Sequence, residues 1–161
     1  MPRYRLHTPL LLLLLIFCHP LSAAEDTIEV RDLWIRSAPP NVAVMAAYLR
    51  LINHGNHTVR LTGVSSRQFE KVEIHRSVIQ DNMAHMEKIE PLPLAGKQEI
   101  VFEPGSFHLM LMNPHKPMLK GDQAHFVFEF DNGQQIMVPA KVRDSGPDGA
   151  DAEVGEFRHQ H

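Results

Sequence analysis

The sequence predicts an all-β domain in which antiparallel strands form a sandwich or barrel. Apolar and polar residues alternate in many short segments, and Gly, Pro and Asn turn signals separate these segments at intervals of about 8–12 residues. We find no long segment whose apolar residues recur with the 3.6-residue period of an amphipathic helix. A chain of 161 residues is the size of one domain.

Eight or nine strands are expected. Two prolines in SAPPN force a loop between the first two strands. The clearest hairpin has Phe126, Phe128 and Phe130 before the turn DNG, with Ile136 and Val138 after it. In chain order the expected strands are TIEVRDLWIR, VAVMAAYLRLIN, HTVRLTGV, KVEIHRSVI, AHMEKIE, KQEIVFE, FHLMLM and the two arms of AHFVFEFDNGQQIMVPAKV.

The N-terminal segment has the features of a secretory signal peptide. Arg3 and Arg5 precede an apolar run from Pro9 to Phe17, which is too short to span a bilayer. The small residues of SAA, ending at Ala24, are typical of a signal peptidase site. We therefore predict that residues 1–24 are a signal peptide and that the mature protein begins after Ala24.

The C-terminal segment 143–161 has a different composition from the rest of the chain. It is polar and acidic and has almost no apolar residues, which predicts a disordered tail. Residues 25–142 are then the folded domain. The tail ends in His159 and His161, an H-x-H pair that is a candidate weak metal clamp.

Composition excludes several kinds of chemistry. The only cysteine, Cys18, lies within the predicted signal peptide, so the mature domain is expected to have no disulfide, cysteine nucleophile or thiolate-ligated metal site. Lipid attachment at Cys18 is less favoured, because Phe17 stands where a small residue is expected. The net charge of −3 and the lack of a clustered basic surface argue against a nucleic-acid partner.

The segment FHLMLM has two different faces when it is placed on a strand. Its odd-numbered positions hold Phe and Leu, whereas its even-numbered positions hold His108, Met110 and Met112. Successive side chains of a strand point to opposite faces. One face is therefore core, and the other carries an imidazole and two thioethers.

Four residues form a candidate metal site: His75, Met86, His108 and Met110, spaced as H-x10-M-x21-H-x-M. Thioether sulfur is a soft ligand that selects Cu(I), and imidazole binds copper in either oxidation state. Zinc would require thiolates, more imidazoles or a carboxylate, and calcium would require oxygen ligands. This uncharged set therefore predicts copper, with Cu(I) preferred.

Other histidines and methionines have simpler explanations. A single Met often fills a gap in a core, and Met45 is expected in the core together with Trp34. Met112 is on the same face of its strand as His108 and Met110, but a supporting role is favoured over ligation. His85 and Met83 flank Met86 and are expected to be solvated. The sequence leaves open whether His85 is an auxiliary ligand.

These residues resemble those of the periplasmic copper chaperones of the PCu(A)C type. The family's metal-binding pattern, H-x10-M-x21-H-x-M, falls without gaps on the four candidate residues. The resemblance also covers VRDLWIRSAPPNVAVMAAYLRLIN, VEIHRSV, MAHMEKI, PGSFHLMLM, LKGD and the final hairpin. It implies a cupredoxin-like Greek-key β-sandwich with an exposed Cu(I) site.

The resemblance also implies that the protein delivers copper outside the cytoplasm. The expected recipient is the copper-bearing subunit of cytochrome c oxidase or another copper-assembly protein. Family members often carry a His/Met extension that binds a second copper ion as Cu(II). The tail of this chain has only His159 and His161 and no methionine for that role.

We therefore expect a monomeric periplasmic copper carrier that is not an enzyme and is not inserted in the membrane after signal cleavage. One alternative is a copper-scavenging or resistance protein with the same site but no oxidase client. A second is a histidine-brace oxidative enzyme, which would need cleavage after Cys18 to expose His19. A third is a β-sandwich binding module without metal.

Overall fold

The computed structural model describes residues 28–80 and 83–146, and these residues contain ten β-strands and no helix. The predicted signal peptide 1–24, and residues 147–161 of the predicted tail 143–161, lie outside the described residues. The all-β prediction is confirmed. The strands are β1 (Ile28–Arg36), β2 (Val44–Asn53), β3 (Val59–Ser66), β4 (Phe69–Gln80), β5 (Met83–Lys88), β6 (Leu92–Leu94), β7 (Glu99–Phe102), β8 (Phe107–Pro114), β9 (Gln123–Phe130) and β10 (Gln135–Arg143).

The ten strands form one sheet that folds over on itself as a sandwich. Their order is β5-β4-β8-β7-β2-β1-β10-β9-β3-β6, with an additional pairing between β8 and β2. Most neighbours run antiparallel, whereas β1 runs parallel to β10 and β7 runs parallel to β8. Every strand except β5 contributes side chains to a single hydrophobic core. The edges of the sheet are the exposed strand β5 and the three-residue strand β6.

The alternation of buried and exposed side chains along β9 shows why these segments form strands. Phe126, Phe128 and Phe130 are buried in the core, while the residues between them are exposed or half-buried. Burying one Phe side chain contributes about 1.5–3 kcal/mol. A slip of one residue against β10 would turn all three rings towards water, so the core sets the register of the predicted hairpin.

The face of β4 and β8 that points away from the core carries candidate ligands from the sequence analysis. Ile74 pairs with Leu109, and both are buried in the core. Their neighbours His75 and His108 therefore point to the outer face. The outer face is formed by alternate residues of β5, β4, β8 and β2.

Trp34 is buried, as expected, but it lies outside the main cluster of core residues. β1 has a bulge between Arg31 and Trp34, at which Asp32 takes a φ of 55°. An extra residue at a bulge reverses the side-chain parity that follows it. As a result Ile35 enters the core, and Trp34 packs on Tyr48 on the outer face, with ring centroids 5.1 Å apart.

Met45 lies in the core, as the sequence predicts. In the part of the chain that the structure describes, we find no helix that is both long and apolar enough to cross a membrane.

Two glycines give a matched test of the packing. A Cβ at Gly96 would overlap the backbone carbonyl group of Asn56, which cannot move aside as a flexible side chain could. A Cβ at Gly63 would meet only side-chain oxygens of Glu90 and Glu129, at an ordinary 3.8 Å. We predict that Gly96→Ala lowers the free energy of unfolding by about 1–3 kcal/mol.

The matched variant Gly63→Ala should leave that free energy unchanged or slightly raised, since alanine restricts the unfolded chain. Urea unfolding curves of the two variants measure the difference. Equal stabilities would contradict the close approach of the chain at Gly96.

Candidate metal centre

The structure brings His75 and His108 together, although they are far apart in the sequence. They are directly opposite each other on β4 and β8. Their ring centroids lie 5.9 Å apart, and the ring planes are inclined by 39°. His108 is buried, and the side chain of His75 is only 12% exposed. Two imidazoles are thus held side by side in a largely desolvated position.

The two candidate methionines lie on the same outer face, on either side of this histidine pair. Met110 is two residues beyond His108 on β8 and is half-buried. Met86 on β5 is paired with Ser77, which is two residues beyond His75 on β4. Directly paired residues share a face, as do alternate residues along a strand. All four candidate residues therefore share one face of the sheet.

Met86 is held much less firmly than the other three residues. Its side chain is on the edge strand β5, whose six residues are all exposed and which pairs with β4 alone. Met86 itself is 64% exposed. His75, His108 and Met110 lie on strands that have neighbours on both sides. Among the four, Met86 can be withdrawn at the lowest cost in packing.

Glu73 is a residue of the site that the sequence analysis missed. It is 9% exposed and shares the outer face with His75, two residues away, and with Met110, its partner on β8. Its Oε2 lies 2.9 Å from Nε2 of His75. Its Oε1 lies 2.6 Å from Nζ of Lys71 and 3.3 Å from Nζ of Lys88.

These contacts keep Glu73 ionised. The Lys71 ammonium group, followed by His75, lowers the pKa of Glu73 to about 2, although burial opposes this effect. The signal that could have identified Glu73 is the spacing E-x-H. On a strand this spacing places the carboxylate and the imidazole on the same face.

The Nδ1 atoms of the two histidines have different surroundings. Nδ1 of His75 is buried and has no hydrogen-bond partner in the part of the chain that the structure describes. Nδ1 of His108 lies 3.3 Å from the carbonyl oxygen of Ser106. Burial lowers the pKa of His108, the hydrogen bond to Ser106 opposes this, and the nearby His75 adds to the lowering. A neutral imidazole is the form that binds metal. A metal-binding imidazole needs one ring nitrogen that is unprotonated and whose lone pair has no other partner.

The neighbouring candidates lie further from the histidine pair. Met112 is on the same face, one alternate position beyond Met110, and is paired with Lys71 on β4. His85 and Met83 pair with Val78 and Gln80, so they are on the opposite face from Met86. His85 is therefore not placed to join the set. His159 and His161 lie outside the described residues.

Fold and site together define a cupredoxin-like β-sandwich with an imidazole pair and two thioethers on one outer face. Residues 28–142 match the family described as "Putative lipoprotein LpqE-like". The chain belongs to this family.

Two relatives extend this assignment. "Uncharacterized protein RP573" of Rickettsia prowazekii (strain Madrid E) is 30% identical over 128 residues, which are 77% of this chain and 71% of the relative. "Putative lipoprotein Lxx21020" of Leifsonia xyli subsp. xyli (strain CTCB07) is 22% identical over 120 residues, or 74% of this chain and 71% of the relative.

Solved structures with the same fold include copper-binding domains. The "Copper-bound PCuAC domain from PmoF2" superposes with a TM-score of 0.61 at 21% identity, covering 72% of this chain and 92% of that domain. The "Solution structure of CuI-DR1885 from Deinococcus Radiodurans" gives a TM-score of 0.59 at 19% identity, covering 76% and 83%. The expected cupredoxin-like fold of the PCu(A)C type is confirmed.

Methionine exposure gives a test that needs no metal. We predict that a mild oxidant converts Met86 and Met137, which are 64% and 69% exposed, to sulfoxides at similar rates in the metal-free protein. Met45 and Met118, both 4% exposed, should react much more slowly because they lie in the core. Mass spectrometry of proteolytic peptides measures the four rates. A Met86 as slow as Met118 would contradict the exposed position of β5.

Proposed function

We propose that this protein is an extracytoplasmic copper chaperone that binds Cu(I) through His75, Met86, His108 and Met110. We further propose that it delivers the ion to respiratory copper centres, in the assembly of cytochrome c oxidase. The single observation that carries the proposal is the pair of largely buried imidazoles, flanked by two thioethers on the same outer face. Copper is the cargo of the protein and not a catalytic group.

The chemistry of the donor set supports Cu(I). Two neutral imidazoles and two neutral thioethers add no charge, and soft sulfur selects Cu(I) over the harder divalent ions. Both oxygens of Glu73, the carboxylate beside the histidines, are already engaged by His75, Lys71 and Lys88. The donors that remain are nitrogen and sulfur.

The comparisons support the proposal in two ways. The solved structures with this fold include one titled as copper-bound and one titled as a Cu(I) form. The names of the matched family and of one relative contain the word lipoprotein, which favours an exported protein. Together with the predicted signal peptide 1–24, these names lead us to propose the periplasm as the location.

The uneven exposure of the ligands supports a carrier rather than an enzyme. A chaperone must hold its ion and then release it to a partner. His75 and His108 would hold the ion, since they lie on strands with neighbours on both sides. Met86, on the exposed edge strand, would leave first as a ligand from the acceptor enters. Transfer then proceeds by stepwise ligand exchange.

Competition of the purified protein with a Cu(I) chelator tests the proposed site. We predict that His75→Ala and His108→Ala each weaken Cu(I) binding by more than about tenfold, because each removes one of the nitrogen donors. Met110→Ala should weaken Cu(I) binding much more than Cu(II) binding, because thioethers favour Cu(I). Met86→Ala should weaken Cu(I) binding less than Met110→Ala, since its strand is freely exposed.

His125→Ala and Met137→Ala serve as controls on the far part of the sheet, where both residues line one surface groove of about 510 Å³. They should leave the affinity unchanged. If the wild-type protein did not compete for Cu(I), or if these controls weakened binding as much as the site variants, the proposed site would be wrong.

Delivery is tested in a deletion strain grown at low copper. We predict that the strain assembles less copper-loaded cytochrome c oxidase, and that wild-type protein restores it. A His75→Ala/His108→Ala variant, exported to the same level, should not restore oxidase activity. A fully metallated oxidase in the deletion strain would remove the delivery role and leave copper scavenging as the function of the same site.

A further inference from the structure

We propose that Glu73 is a positioning residue that makes His75 present the opposite ring nitrogen to copper from His108, whose tautomer is set by Ser106. His75 would bind through Nδ1 and His108 through Nε2. The inference rests on the proposed function, since it names the donor atoms and the positioning group of the same site. Neither the spacing of the four residues nor their residue types determines these atoms.

The argument begins with the hydrogen bond between Glu73 and His75. An ionised carboxylate can only accept hydrogen bonds. Nε2 of His75, 2.9 Å from Oε2 of Glu73, must therefore carry the proton of the ring and donate it. The neutral ring then has its lone pair on Nδ1. That atom is buried and has no hydrogen-bond partner among residues 28–80 and 83–146.

The other histidine has the opposite arrangement. A backbone carbonyl oxygen is likewise only an acceptor, so Nδ1 of His108 donates to Ser106, 3.3 Å away. The lone pair of the neutral His108 ring is on Nε2. A hydrogen bond to the second ring nitrogen is the usual way in which a protein fixes the metal-binding tautomer of a histidine.

Two lysines hold Glu73 in this role. Lys71 and Lys88 both approach Oε1, at 2.6 Å and 3.3 Å, and leave Oε2 to His75. Their side chains are 58% and 46% exposed, so the positive charges remain partly in water. A buried carboxylate is costly unless it is paired and hydrogen-bonded. Here the lysines compensate the charge, and the carboxylate stays a hydrogen-bond acceptor instead of becoming a ligand.

Nitrogen-15 NMR of the imidazole rings in the metal-free, full-length protein tests the tautomers directly. At a pH where both rings are neutral, we expect the proton on Nε2 of His75 and on Nδ1 of His108. Addition of Cu(I) should shift Nδ1 of His75 and Nε2 of His108 and leave the protonated nitrogens in place. A proton on Nδ1 of metal-free His75 would overturn the inference.

Three variants separate positioning from general electrostatics. Glu73→Leu has similar bulk and cannot accept a hydrogen bond, so we expect it to lower Cu(I) affinity by about 10–100-fold and to leave His75 as a mixture of tautomers or bound through Nε2. Glu73→Gln retains an acceptor oxygen and should keep the tautomer, with a smaller loss of affinity. Circular dichroism shows whether each variant is folded. If Glu73→Leu does not fold, the tautomer of His75 and the Cu(I) affinity in Glu73→Gln still test the inference.

Glu87→Gln is the matched control. Glu87 is also close to the site, on β5, but it pairs with Arg76 on the opposite face of the sheet. Removing its charge should change Cu(I) affinity by less than about twofold. If Glu73→Leu and Glu87→Gln lowered the Cu(I) affinity equally, Glu73 would act only through its charge, and the inference would be wrong. If wild-type protein bound no Cu(I), the proposed function would fail, while the NMR of the metal-free protein would still decide the tautomer of His75.

Discussion

The ladder between β4 and β8 is the constraint on which the site depends. Ile74 and Leu109 are paired across it and are buried in the core, and each such side chain contributes about 1.5–3 kcal/mol by burial. Because side chains alternate along a strand, the same pairing places His75 opposite His108 on the other face. A register shift of one residue would expose the core residues and separate the histidines. The hydrophobic core therefore holds the two candidate imidazole rings in place.

The position of the sheet edge gives the candidate ligands unequal freedom. The histidines lie on strands that are paired on both sides, whereas Met86 lies on β5, which has a neighbour on one side only. Rigid placement favours tight binding, because little conformational entropy is lost when the ion enters. A ligand on an exposed edge can leave without disturbing the core. One sheet can thus combine retention of an ion with a route for its release.

The buried carboxylate at the candidate site is fully engaged by protein groups. Glu73 has partners on both oxygens, so its negative charge is used for hydrogen bonding to His75 and to two lysines. The donors left for an ion are uncharged. This arrangement keeps the site distinct from the oxygen-rich sites that attract calcium or magnesium.

The sequence alone determined the all-β class, every strand except the short β6, and the shared face of His108 and Met110, because these follow from a local period of two residues. Only the tertiary structure decided which strands are neighbours, and so the pairing of His75 with His108, the packing of Glu73 against His75, and the outward turn of Trp34 after the bulge at Asp32. Strand pairing and bulges depend on how distant segments bury their apolar faces together. A local sequence pattern therefore does not predict strand pairing or bulges.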